Sequence, residues 1–131
     1  MRSQPNGFSL LELMIVLVII SILASIVLPS YGRYVTESRR KDASTMLLRI
    51  MQQQESHYNE ELSYTVDLTV LGYGSIVESE GGYYVITAST CGSTPITQCV
   101  LLTATPQGAQ TGDGVITLNS RGARSPSSHW S

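Results

Sequence analysis

The stretch Gly7-Phe8-Ser9-Leu10-Leu11-Glu12-Leu13-Met14-Ile15-Val16-Leu17-Val18-Ile19-Ile20-Ser21-Ile22-Leu23-Ala24-Ser25-Ile26-Val27-Leu28 carries one charge, that of Glu12. Phe8 to Leu28 is 21 residues, roughly 32 Å of helix at about 1.5 Å per residue, enough to span the hydrocarbon core of a bilayer. A membrane helix is expected. A carboxylate placed deep in such a helix costs about 2.5 to 3.5 kcal/mol, so Glu12 needs a partner or a function.

The remainder bounds what else the chain can be. Its 131 residues allow one domain, and taking away the apolar helix leaves about a hundred residues for a soluble head. A formal charge of -2 and a pI near 5.6 argue against a protein built mainly to hold nucleic acid. The two cysteines, Cys91 and Cys99, lie beyond the membrane segment. An even count there points to one disulfide in an oxidising compartment, hence to a head outside the cytoplasm. The rival reading of a metal site has little behind it: His57 and His129 are the two histidines, and no CxxC or HxxxH spacing occurs. No cofactor is expected. The chain also has no P-loop, GxSxG elbow or HExxH, so it reads as a protein that is not an enzyme.

The apolar run is not an ordinary secretory signal. Such signals have an apolar stretch of about 7 to 15 residues followed by a small-residue cleavage site, whereas this one is longer and ends in Val27-Leu28-Pro29-Ser30. Upstream, Met1 to Gly7 is short and polar with one base, Arg2, and its small residue, Gly7, precedes the apolar run. A cut at Gly7 leaves the helix attached. It also makes Phe8 a new N-terminus whose ammonium lies one helical turn from Glu12.

Gly7-Phe8-Ser9-Leu10-Leu11-Glu12, followed by the apolar run to Pro29-Ser30-Tyr31, resembles the class III signal of type IV pilins and pseudopilins. The resemblance implies that a prepilin peptidase cuts after Gly7 and methylates the amine of Phe8, and that the helix is kept as the assembly element. Gly7 offers an unobstructed backbone to a protease cleft. The resemblance gives Glu12 the task of neutralising the N-terminal ammonium of a neighbouring subunit, which in a water-poor filament core fixes one axial register. The other reading of Glu12 is local: it favours the N-terminal helix dipole and snorkels to the headgroups, worth about 0.3 to 1 kcal/mol. Pro29 either kinks the helix or marks its boundary. Tyr31 and Tyr34 suit a membrane interface or packing between helices.

The expected organisation is a leader over 1–7, a transmembrane and assembly helix over 8–30, and a periplasmic head over 31–131. Within the head, an amphipathic helix is expected over 31–59, a loop over 60–82, a β-sheet over 83–119 and a C-terminal segment over 120–131. From Glu37 to Asn59 no Pro or Gly occurs, and Ala43, Met46, Leu47, Ile50 and Tyr58 form one apolar stripe. Arg39, Arg40 and Lys41 sit beside Glu37 and Asp42. Mixed signs at this spacing favour a solvated, salt-bridged face over a contact for DNA or acidic lipid. A short turn is plausible over Asp67 to Leu71. Three β-rich runs follow, Tyr83 to Ser89, Gln98 to Thr105 and Val115 to Asn119. Their alternate residues Ile86 and Ala88, Val100, Leu102 and Ala104, and Ile116 and Leu118 supply a face to lie on the helix stripe. The fold class is therefore α+β: one long N-terminal helix packed on a small antiparallel sheet of three to four strands. A Cys91–Cys99 bridge closes a nine-residue loop at the hairpin end, worth roughly 2 to 3 kcal/mol in the loop-entropy model.

The resemblance reaches further along the chain. Tyr64 to Gly72, Gly82 to Ile86, Leu102 to Gly108 and Leu118 to Gly122 are similar to segments of small PilE-type minor pilins. Those relatives often close a C-terminal loop with a late disulfide, whereas Gly114 and His129 stand near those places here. What the family implies is a minor pilin of a type IV pilus, serving pilus assembly and twitching motility or adhesion. Its partners are other pilin subunits, the prepilin peptidase, the inner-membrane assembly machinery and the inner membrane itself. Its location is the inner membrane before assembly and the extracellular pilus afterwards. Alternatives are a pseudopilin of type II secretion, a DNA-uptake pilin, or a signal-anchored periplasmic protein that never polymerises. The secretion reading suffers because relatives of that type use C-terminal acids to bind calcium, and after Gly81 this chain has one acid, Asp113. The DNA reading rests on Arg121, Arg124 and Trp130, which together supply phosphate contact and stacking.

Overall fold

The structure is a computed structural model that describes residues 7–130. The expected leader lies outside the described residues, apart from Gly7. Two compact units divide the chain between Val35 and Thr36, and a single helix, α1, over Leu10–Glu61 contributes to both.

In the first unit the helical half of the sequence has nothing to pack on. Residues 7–34 are all exposed except Ala24, which is partly covered; Phe8 is 77% and Leu28 68% exposed. The polar side chains within the run satisfy themselves locally. Ser21 Oγ donates to the Leu17 carbonyl and Ser25 Oγ to that of Ile22, each at 2.7 Å, and Ser30 Oγ donates to Ile26 at 3.3 Å. A hydroxyl bonded to its own helix needs no water. Pro29 lies inside the helix, so the reading of it as a boundary marker does not hold.

The second unit begins as helix and ends as sheet. The stripe on α1 buries Ala43, Ser44, Leu47, Ile50, Met51 and Gln54; Met46 is only partly buried against this core. Tyr58 stacks instead on Tyr64, with ring centroids 4.8 Å apart. Gln54 is wholly buried and behaves as a piece of backbone: its Nε2 donates to the Thr65 carbonyl at 2.7 Å, and its Oε1 accepts from the Thr65 amide at 3.0 Å. Leu62 ends the helix in the left-handed region, φ 58°, with its amide donating to the Tyr58 carbonyl at 2.8 Å.

The loop region 60–82 is more structured than its composition indicates. Asp67 caps a short 3-10 turn over Leu68–Leu71 by accepting from the Thr69 amide, and Gly72 closes it in the left-handed conformation at φ 96°. A two-residue strand follows, β1 (Val77–Glu78), and then β2 (Tyr84–Thr90), β3 (Val100–Pro106), β4 (Ile116–Asn119) and a second two-residue strand, β5 (Arg124–Ser125). They form one antiparallel meander in chain order. The sheet thus has five strands where three to four were expected. The two additional strands are edge strands, too short to leave an alternation in the sequence.

Register places the expected side chains on one face. Val77 lies opposite Ile86, Ile86 opposite Ala104 and Ala104 opposite Ile116; Ala88, Leu102 and Leu118 form the neighbouring row. All of these are buried except Ala88, which is partly so. With Tyr84 and Val100 they join Ala43, Leu47 and Ile50 of the helix in one core, so helix and sheet complete each other's apolar surface.

Candidate functional site

The candidate assembly site is the start of α1. Ser9 precedes the first helical residue, and its Oγ accepts from the Glu12 amide at 3.2 Å while Glu12 Oε2 accepts from the Ser9 amide, also at 3.2 Å. This is a reciprocal capping box, in which two backbone N–H groups that the helix leaves unpaired are satisfied by side chains. Gly7, Phe8 and Ser9 are left outside the helix and exposed. Within one chain, the Glu12 carboxylate therefore acts on its own helix terminus. The Ser-x-x-Glu signature was present in the sequence, and its reading as a cap was missed.

A second polar constellation lies in the head. Arg40 donates to Asp113 through Nε at 2.6 Å and Nη2 at 2.5 Å. Asp113 Oδ2 also accepts from the Tyr84 hydroxyl at 3.3 Å and from Gln110 Nε2 at 3.1 Å. Gln110 further reaches the Tyr84 hydroxyl at 3.1 Å and the Thr36 carbonyl at 3.3 Å. The network ties the β3–β4 connection to the first head turns of α1. The Arg40 guanidinium holds the Asp113 carboxyl below the usual carboxylate range, and Asp113 in return raises Arg40. Burial pushes the Tyr84 phenol up.

The basic run is used differently from the expectation of helix-face ion pairs. The Arg39 guanidinium lies 3.8 Å from the ring centre of Tyr83, Arg40 serves Asp113, and Asp42 Oδ2 accepts from the Gly81 amide at 2.8 Å. A Cβ at Gly81 would stand 3.2 Å from that oxygen, which is why a glycine fits there. These residues anchor loops. Spacing on the helix alone could not show it, because every partner lies at least 39 residues away in sequence.

The remaining predicted positions resolve as follows. Cys91 and Cys99 are joined by a disulfide with Cα atoms 5.7 Å apart, and Ile96 within the bridged loop accepts from the Tyr64 amide at 3.4 Å. His57 lies beside Glu60 and Leu71, and His129 beside Glu37, Arg40 and Lys41, so the fold does not bring the histidines together. Arg124 and Trp130 do meet, with the guanidinium 4.9 Å from the indole centre. Trp130 also packs on the core. Arg121 sits at the β4–β5 turn, where its amide donates to Asn119 Oδ1 at 3.0 Å.

A bare apolar helix that continues into a small head of helix and antiparallel meander defines a class of subunit with a membrane-compatible stem. The comparisons narrow that class. A family profile described as "Type IV minor pilin ComP, DNA uptake sequence receptor" matches residues 29–118, and the prokaryotic N-terminal methylation motif matches residues 2–28. The chain is 34% identical over 86 residues to the type IV major pilin protein PilA of Myxococcus xanthus, a match covering 66% of this chain and 39% of that protein. It is 28% identical over 110 residues to the fimbrial protein EcpC of Eikenella corrodens, covering 84% of this chain and 72% of that one. Among solved structures, a type IV pilin from Shewanella oneidensis matches with a TM-score of 0.54 at 25% identity, over 70% of this chain and 92% of the other. The chain belongs to the type IV pilin family.

Proposed function

We propose that the chain is a minor subunit of a type IV pilus, held in the inner membrane by residues 8–30 with its head in the periplasm. A prepilin peptidase cuts after Gly7 and methylates Phe8, and the inner-membrane machinery then draws the subunit into a filament with other pilins. Its contribution is structural, with no catalysis of its own. The observation that carries this reading is the exposed apolar stem beneath a methylation motif. Lipid covers such a surface in one state, and neighbouring helices cover it in the other.

Glu12 links the two states. In the single chain it bonds to a neutral amide, that of Ser9; the ammonium of a neighbour's Phe8 offers a charge-assisted bond, roughly twice as strong. Exchange of the first partner for the second favours assembly at one register. Pro29 leaves the Ser25 carbonyl without its usual amide donor, which loosens the stem where it meets the membrane surface. Glu12→Ala should insert into the membrane normally and be missing from sheared filaments, as read by immunoblot of both fractions. Normal incorporation of the variant contradicts the role given to Glu12.

A second reading is favoured by one specific finding, the match of residues 29–118 to a DNA-uptake receptor profile: the pilus carrying this subunit takes up DNA. The type II secretion reading loses ground, because Asp113, the one acid after Gly81, is engaged by Arg40.

A further inference from the structure

Side chains directly opposite each other on neighbouring strands share a face. Arg124 of β5 lies opposite Leu118 of β4, which is 3% exposed and faces the helix. Arg124 therefore projects from the sheet edge on the helix side. There its guanidinium covers one face of Trp130, whose ring also rests on the core. Trp130 is half-buried, and its ring engages both the core and the guanidinium. It holds the guanidinium in place.

Immediately before Trp130, Ser128 and His129 lie against the helix and enclose a notch of about 110 Å³ lined also by Glu37, Arg40 and Lys41. Its lining is polar throughout. His129 Nδ1 is buried and has no hydrogen-bond partner among the described residues, and His129 lowers the Asp113 carboxyl through its charge, so Asp113 stands within electrostatic reach. The lining carries Arg40 and Lys41 against Glu37, Arg124 stands on Trp130, the residue after His129, and Arg40 is neutralised by Asp113. Lys41 of the lining and Arg124 on the adjoining Trp130 remain against Glu37, a surplus of one positive charge. We infer that this notch and the Arg124–Trp130 pair beside it form a phosphate-binding site for the backbone of duplex DNA. Contact is to phosphate and not to bases, so it positions the duplex without reading its sequence. Fixing Arg124 on an aromatic ring lowers the entropy lost on binding.

The inference rests on the DNA-uptake reading and deepens it, and one experiment separates the two. Full-length protein in neutral detergent micelles is titrated with fluorescent duplex DNA of several sequences across a salt series. Lys41→Gln and Arg124→Gln should each weaken binding about three- to tenfold, equally for all sequences, and reduce the salt slope by about one. Glu37→Gln removes the opposing carboxylate and should tighten binding severalfold, a gain that misfolding cannot imitate. Trp130→Phe should leave binding within about twofold, because a ring for Arg124 remains. If the wild type binds DNA and the Lys41, Arg124 and Glu37 variants match it in affinity and slope, the site is wrong while the DNA reading stands. If the wild type binds no duplex even at low salt, the DNA reading fails and takes the site with it.

Discussion

Asp113 shows how one residue can carry several contacts that no local pattern reveals. It receives Arg40 from the helix, the Tyr84 hydroxyl from β2 and the Gln110 amide from its own loop. Because Arg40 lowers its carboxyl from the ordinary value, the sign of its pH dependence is fixed. The stabilisation is full above the unfolded carboxylate range near pH 4 and is lost as pH falls through the lower, folded value. Unfolding of the detergent-solubilised protein should therefore show wild-type stability dropping between about pH 5 and pH 3 more steeply than that of Asp113→Asn. At neutral pH the variant should be weaker by about 1.5 to 3 kcal/mol, the usual worth of a hydrogen bond to a charged group. Parallel pH curves for the two proteins contradict this account of Asp113. In the sequence Asp113 was legible only as a lone acid, and Gln54 was not legible at all. A buried amide that bonds to a loop backbone 11 residues on leaves no periodic trace.

Elements were easier to read than their connections. The core strands announced themselves because Val100, Leu102, Ala104, Ile116 and Leu118 alternate with more exposed residues, and their burial follows that alternation. Strand β2 lies one residue later than the expected run Tyr83 to Ser89, over Tyr84–Thr90. The two-residue strands β1 and β5 depend on pairing across the sheet, with Val77 on Ile86 and Arg124 on Leu118, and that is tertiary information. The disulfide sits where the sequence placed it, at the β2–β3 hairpin end, and Cys99 is fully buried there. Replacing both cysteines by serine should lower stability by about 2 to 3 kcal/mol in the loop-entropy model for a short bridged loop. Chemical denaturation of the oxidised wild type against the double variant measures this, and equal midpoints would mean the hairpin and its Tyr64–Ile96 contact need no bridge. At the start of α1, Ser9 and Glu12 belong to the processing motif, and their spacing also sets where the helix begins.

At the scale of the molecule, the two units solve opposite problems. The head buries its apolar stripe and sheet face against each other, so its stability is internal. The stem buries almost nothing within the chain, so its stability depends on what surrounds it. That division was the most legible property of the sequence, because an unbroken apolar run followed by an amphipathic pattern can be read without tertiary knowledge. What could not be read was how the head's charges are used, since Arg39, Arg40 and Asp42 find their partners only after folding. The central claim is that the stem is retained after processing and becomes the filament's assembly element. Intact-mass spectrometry of the subunit recovered from sheared filaments of its native host tests it most directly. The account predicts a chain that lacks Met1 to Gly7 and begins at Phe8 with one added methyl group. A subunit that retains Met1 to Gly7, or one cut beyond the apolar run, would contradict it.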